Sequence, residues 1–133
     1  MNYFPLTKEQ EDWKNSVAEL AMQEIGPSAA EVDSSGNYPQ QSIDALGSAG
    51  LWALRTPEEY GGLGADLLTT CLVVEEIAKK CPSTAMCYKM HLEAVEVINL
   101  IPTPYQVERF VKPLGAGKVF ASAPGSESGG QEG

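Results

Sequence analysis

Residues 83–101 read Ser-Thr-Ala-Met-Cys-Tyr-Lys-Met-His-Leu-Glu-Ala-Val-Glu-Val-Ile-Asn-Leu-Ile. No glycine or proline interrupts the run, and apolar side chains fall nearly all round a helical wheel: Ala85, Met86, Cys87, Met90, Leu92, Ala94, Val95, Val97, Ile98, Leu100. A helix with so little polar surface belongs at the centre of a bundle. Cys81-Pro82 breaks the chain before it and Pro102-Thr103-Pro104 closes it, because proline lacks an amide hydrogen and clashes with the preceding turn.

Working towards the N-terminus, Asp66 is placed to cap a helix running to about Lys80, with Leu67, Cys71, Val74, Ile77 and Ala78 inward. Glu75–Lys79 and Glu76–Lys80 sit four apart with the acid first, which reads as a solvated, ion-paired face. Thr56 to Asp66 is a long loop whose Gly61-Gly62-Leu63-Gly64 sets a backbone bend and permits close approach of another element. Leu51-Trp52-Ala53-Leu54 is too short to read by periodicity. Tyr38-Pro39 opens a short helix carrying Ile43, Leu46 and Ala49 and stopped by Gly50, and Asp33-Ser-Ser-Gly-Asn37 reads as a loop. In the first helix Thr7 and Gln10 form a capping box, and Trp13, Val17, Leu20, Ala21 and Ile25 make one apolar stripe. Gly26-Pro27 ends or bends it before Ala29.

Towards the C-terminus, Thr103-Pro104 starts a last helix with Val107, Phe110 and Val111 inward, ended by Gly115 and Gly117. The texture then changes: Lys118-Val-Phe-Ala-Ser122 reads as a single strand, followed by a glycine- and serine-rich tail. A lone strand has no partner for its backbone groups. The expectation is therefore an all-α bundle of about five to six helices over residues 1–117. Residues 118–133 would be the truncated start of a β-domain or a disordered tail.

Composition narrows the function. Eighteen acidic against 9 basic residues give a net charge of −9, which repels a polyanion and argues against nucleic-acid binding. Three cysteines without a CxxC spacing (Cys71, Cys81, Cys87) point to a reducing, cytoplasmic setting rather than a disulfide framework. No segment reaches the roughly 18 apolar residues of a membrane span, and the N-terminus lacks a signal-peptide pattern. Gly62-Leu-Gly64 has leucine at 67 where a dinucleotide fingerprint has its third glycine, and Gly117-Lys118 lacks the earlier glycine of a P-loop. In Gly125-Ser-Glu-Ser-Gly129, Glu127 occupies the serine position of a nucleophile elbow. With His91 the single histidine, a His-based zinc cluster cannot form within one chain. Nothing in the spacing selects His91 as the base of a nucleophile; packing or hydrogen bonding inside the buried helix, with Cys87 a turn away, is the simpler reading. No catalytic or metal-ligating residue is assigned.

Several short stretches, in order, carry a resemblance: Leu6-Thr7-Lys8-Glu9-Gln10, Ile25-Gly-Pro27, Leu46-Gly-Ser-Ala-Gly-Leu51, Pro57-Glu-Glu-Tyr-Gly-Gly-Leu-Gly64, Val74-Glu-Glu-Ile-Ala78 and Ser83-Thr-Ala-Met86. Together they resemble the N-terminal helical domain of the acyl-CoA dehydrogenase family over nearly the whole chain. The resemblance implies a chain that continues, in full-length members, into a middle β-domain and a C-terminal helical domain. It implies FAD as cofactor of the full-length protein, with none expected for this chain alone, and acyl-CoA and an electron-transfer acceptor as partners. It further implies that the α-proton is taken by a glutamate of the C-terminal domain and that the N-terminal helical domain supplies one wall of the acyl pocket, through Ala85, Met86, Tyr88 and Lys89. Ser126, in the stretch nearest the family's flavin loop, is the implied flavin contact, although Ser128 stands where that loop has proline. A homo-oligomer is expected, with an apolar patch along helix 83–101 left for assembly. Two alternatives stay open: the same domain of a related flavin monooxygenase, or a free-standing helical interaction module.

Overall fold

The computed structural model describes residues 5–122. Its first helix, α1 (Lys8–Leu20), starts on the expected capping box: the Gln10 amide donates to Thr7 Oγ1 at 3.2 Å and the Thr7 amide to Gln10 Oε1 at 3.1 Å. Gly26-Pro27 bends the chain without breaking the helical path. α1 widens into a π turn (Ala21–Ile25), tightens into a 3-10 turn (Gly26–Ser28) and resumes as α2 (Ala29–Ser35). Residues 33–35, expected in a loop, are the last turn of α2, because the stop is Gly36 at φ 67° and not the polar run before it.

α3 (Gln40–Ser48) buries Ser42, Ile43 and Leu46. Ala49, expected inward, is exposed, since the helix has ended and the chain turns through Gly50 at φ 77°. Two 3-10 turns follow, Leu51–Ala53 and Glu58–Tyr60. The 54–65 loop is folded back on itself by backbone bonds, among them Leu63 N–H to Ala53 O at 3.0 Å and Ala65 N–H to Leu54 O at 2.9 Å.

α4 (Leu67–Ala78) begins at Asp66, whose Oδ1 accepts the Thr69 amide at 2.6 Å. Its inward face is rotated from the expected one: Thr69, Leu72, Val73, Glu76 and Ile77 are buried, whereas Leu67 and Cys71 are exposed. The helix is apolar on two sides, so periodicity alone does not select the face that meets α1. Glu76 is thus 7% exposed rather than solvated. It pairs with Lys79 at 2.7 Å and Lys14 of α1 at 4.0 Å, not with Lys80, which lies beyond the helix end.

α5 (Pro82–Leu100) is the long central helix the sequence announces, with Thr84, Ala85, Tyr88, His91, Leu92 and Val95 buried. α6 (Pro104–Gln106), a π turn (Val107–Val111) and α7 (Lys112–Gly115) form one last helical run, opened by a second capping box between Thr103 and Gln106. The π turn adds a residue to its turn and rotates the buried face onto Val111 and Leu114, leaving Phe110 partly exposed. The strand expected over 118–122 does not form; the stretch is coil against the bundle.

α1 packs along α4 and α4 along α5. One core joins Val17, Ile25, Ile43, Leu54, Ile77 and Tyr88, each fully buried aliphatic side chain contributing about 1.5–3 kcal/mol. The 54–65 loop docks on the end of α7 backbone to backbone. At this contact a Cβ on Gly115 would meet Tyr60 O at 2.1 Å, and inside the loop one on Gly62 would meet Thr56 O at 2.0 Å. Gly62→Ala is expected to lower stability by about 3 kcal/mol, the upper range for overpacking. Gly36→Asn, in open space and to the residue that best tolerates the left-handed backbone at φ 67°, should cost less, about 1 kcal/mol. Urea unfolding midpoints of the two variants measure the difference.

Candidate functional site

An α-helix turns 100° per residue, so the four site residues read from the sequence leave α5 in three directions. Ala85 and Tyr88 face the core, at 4% and 0% exposure. The Tyr88 hydroxyl donates to Leu51 O at 2.6 Å, and burial pushes its pKa far up. Met86 points the other way and is 60% exposed. Lys89 faces α4, pairs with Glu93 one turn on, and borders a groove between α4 and α5 of about 590 Å³. Ala85 and Tyr88 therefore share an interior face, Lys89 joins the groove, and Met86 meets none of the other three.

The groove has an apolar floor of Leu67, Cys71, Val74 and Leu92. Its charged end is held by Arg55, whose Nε donates to Glu96 Oε2 at 3.0 Å and whose Nη1 donates to the Ala65 carbonyl. Sequence reading passed over this groove because Leu67, Cys71 and Val74 were assigned to the core. The signal available was the surplus: α4 carries more apolar side chains than one buried face can use. The second apolar surface lies at the end of α5, where Val97, Leu100 and Ile101 are exposed, Ile101 at 90%. The apolar patch expected along the helix is concentrated there, with Met86 apart from it.

His91 is fully buried and not paired with a nucleophile. Its Nε2 donates to Trp52 O at 2.7 Å and its Nδ1 accepts the Ala121 amide at 2.9 Å. Phe120 stacks on the ring at 4.4 Å. Burial holds its pKa below the ordinary imidazole value against the pull of the Trp52 carbonyl. Cys87 is half-buried, and its thiol is pushed up mainly by burial. Among the described residues no group of His, Cys, Asp and Glu side chains could hold a metal ion, and no helix is long and apolar enough to cross a membrane. Ser126 and Glu127 lie outside the described residues.

Residues 7–118 match the family described as acyl-CoA dehydrogenase, N-terminal domain. The chain belongs to this family. The domain is 35% identical to the probable acyl-CoA dehydrogenase YngJ of Bacillus subtilis, over 97% of this chain but 36% of that protein. It superposes on butyryl-CoA dehydrogenase from Megasphaera elsdenii with a TM-score of 0.77 at 31% identity, covering 86% of this chain and 31% of the other. A nitroalkane oxidase shares the fold alone, with a TM-score of 0.77 at 21% identity over 96% of this chain and 31% of that one. The acyl-CoA dehydrogenase N-terminal domain described here thus spans about a third of the length of its relatives.

Within this domain the buried Tyr88 hydroxyl is a second donor to the Leu51 carbonyl, beside the Leu54 amide of the 3-10 turn at 3.2 Å. Tyr88→Phe removes one of these two donors and is expected to cost about 0.5–1.5 kcal/mol, read from chemical unfolding with the helical circular dichroism of the folded state unchanged.

Proposed function

We propose that residues 7–118 act as the helical wall domain of a flavin-dependent acyl-CoA dehydrogenase, an α,β-dehydrogenation enzyme. Apolar side chains left uncovered on α5, in a chain about a third as long as its relatives, are the observation that carries this reading. A helical domain meant to stand alone has no use for Ile101 in water, whereas one meant to close a pocket and meet further domains does.

In this reading Met86 contacts the acyl chain, Ala85 and Tyr88 form the rigid layer behind it, and Lys89, tied to Glu93, marks the polar edge. The domain supplies shape and dryness and no proton-transfer group. The base is proposed to belong to polypeptide outside this chain. FAD is the cofactor of the family; when bound, it accepts the hydride. Ser126 is proposed as this chain's contact to it. The three free cysteines fit a reducing cytoplasmic setting.

The relative that shares the fold at 21% identity is named for nitroalkanes, so fold alone does not select acyl-CoA. Residues 7–118 exchanged into the Bacillus subtilis relative provide the test. A yellow chimera whose flavin absorbance is bleached anaerobically by acyl-CoA is expected. In it, Met86→Trp should lower kcat/KM for long acyl chains about tenfold, or about 1.4 kcal/mol, and spare short ones. A flavin-loaded chimera reduced by nitroalkanes and by no acyl-CoA would overturn the assignment.

The uncovered end of α5 also supports self-association of the isolated chain, the assembly contact of a homo-oligomer. Light scattering is expected to give a mass that rises with concentration, and Ile101→Glu with Leu100→Glu should return it to that of a monomer. A wild-type mass that does not change with concentration would argue against it.

A further inference from the structure

His91 sits where two pieces of backbone meet, and each piece fixes one of its nitrogens. A carbonyl can only accept, so Nε2, 2.7 Å from Trp52 O, carries the ring hydrogen. An amide can only donate, so Nδ1, 2.9 Å from the Ala121 nitrogen, is bare. The ring is held as one neutral tautomer. The bond to Ala121 also joins α5 to a stretch that has no helix or strand of its own, 118–122. Phe120 adds a face-on stack to the same ring, 13° from parallel, and lies 5.3 Å from Trp52.

We propose that His91 is a proton-operated latch: neutral, it holds the 118–122 stretch against the bundle, and charged, it lets that stretch go. Adding a proton to Nδ1 turns the acceptor into a donor facing a donor. Two N–H groups are then set against each other in a buried site, and neither has another partner within the helix. The cheapest relief is movement of the weaker element, the coil, because α5 is fixed by its own backbone ladder and by Tyr88.

The groups around the ring do not oppose this. From α5, Tyr88 stacks at 6.2 Å and is kept neutral by burial, and Cys87, one turn earlier, has its thiol pushed up as well. The Leu51–Ala53 turn offers a carbonyl and an indole but no ionisable group. The 118–122 stretch offers one cation, Lys118, which is exposed. Charging the ring gains some attraction from the Phe120 face. Burial, the largest influence on the ring, lowers its pKa against the opposing pulls. The sign follows: the neutral latch contributes stability that is present above the ordinary imidazole pKa and lost as pH falls through the lowered one.

The test is an NMR titration of the 133-residue chain, labelled with ¹⁵N, from about pH 8 to about pH 5, the range in which a histidine changes charge. At the upper end the ring shifts should report a bare Nδ1 and a protonated Nε2. On acidification the His91 ring and the Ala121 amide should move with one midpoint below the ordinary imidazole value. The protection factor of the Ala121 amide, which corrects for the slower base-catalysed exchange at low pH, should then fall at least about tenfold while those of the α1 and α4 amides hold. His91→Gln, an amide that accepts and donates but does not titrate, should leave Ala121 independent of pH. Ala121→Pro removes the amide donor from the surface side, so it decides the matter even if the first variant fails to fold: its His91 should titrate closer to the ordinary value. A protonated Nδ1 at high pH, an Ala121 amide that ignores the ring, or loss of all helices in the same transition would overturn the proposal.

Discussion

Two carbonyls in one short turn organise this domain. The Leu51–Ala53 segment runs through the interior with no strand and no long helix. The Leu54 amide reaches the Leu51 carbonyl at 3.2 Å, which leaves that of Trp52 to a side chain, and a buried carbonyl without a partner is costly. α5 answers with two side chains one turn apart: Tyr88 donates to Leu51 O and His91 to Trp52 O. The indole of Trp52 in turn donates to Ile43 O at 3.0 Å, which fastens α3 to the same turn. The 54–65 loop departs from this anchored point, and with it go Arg55, the Ala65 carbonyl that Arg55 grips, and Asp66 at the head of α4. The groove between α4 and α5 is therefore shaped from below, by polar bonds inside the bundle, more than by its own lining.

The elements most legible in the sequence were those with local chemistry. Thr7 with Gln10, Asp66, and Thr103 before Pro104 mark helix starts through side chains that bond neighbouring amides, and each does so in the fold. Gly26-Pro27 foretold a bend for the same local reason. What was not legible depended on rotation. α4 is apolar on two sides, and only the position of α1 decides that Thr69 and Glu76 turn inward while Leu67 and Cys71 turn out. The π turn at Val107–Val111 shifts Phe110 outward by inserting a residue that periodicity cannot see. Residues 118–122 have strand-like composition, yet a strand needs a neighbour, and here the available partner is a histidine ring.

The candidate site follows the same division. The apolar run marked α5 as the central helix, and the family resemblance put the candidate site on it. Assigning faces to Ala85, Met86, Tyr88 and Lys89 required knowing which carbonyls it must serve. Once Tyr88 is committed to Leu51, the neighbours on either side are aimed by helical geometry: Met86 into the open and Lys89 to the groove. Under the proposed function the domain's contribution is one of rigidity, since side chains fixed by a satisfied polar interior present an apolar surface that does not rearrange when something is laid on it.

The contact between the 54–65 loop and α7 has a bearing on how this domain can change over generations. Gly115 meets the Tyr60 main chain across that junction and Gly62 meets the Thr56 main chain inside the loop that makes it, with no side chain at either position to trade for another. Residues around such a junction are free to drift in chemistry, but the two bare positions have no smaller substitute and no compensating partner. Lineages descended from this sequence can therefore vary the groove, the patch and the surface charge, while these two sites admit no alternative letter.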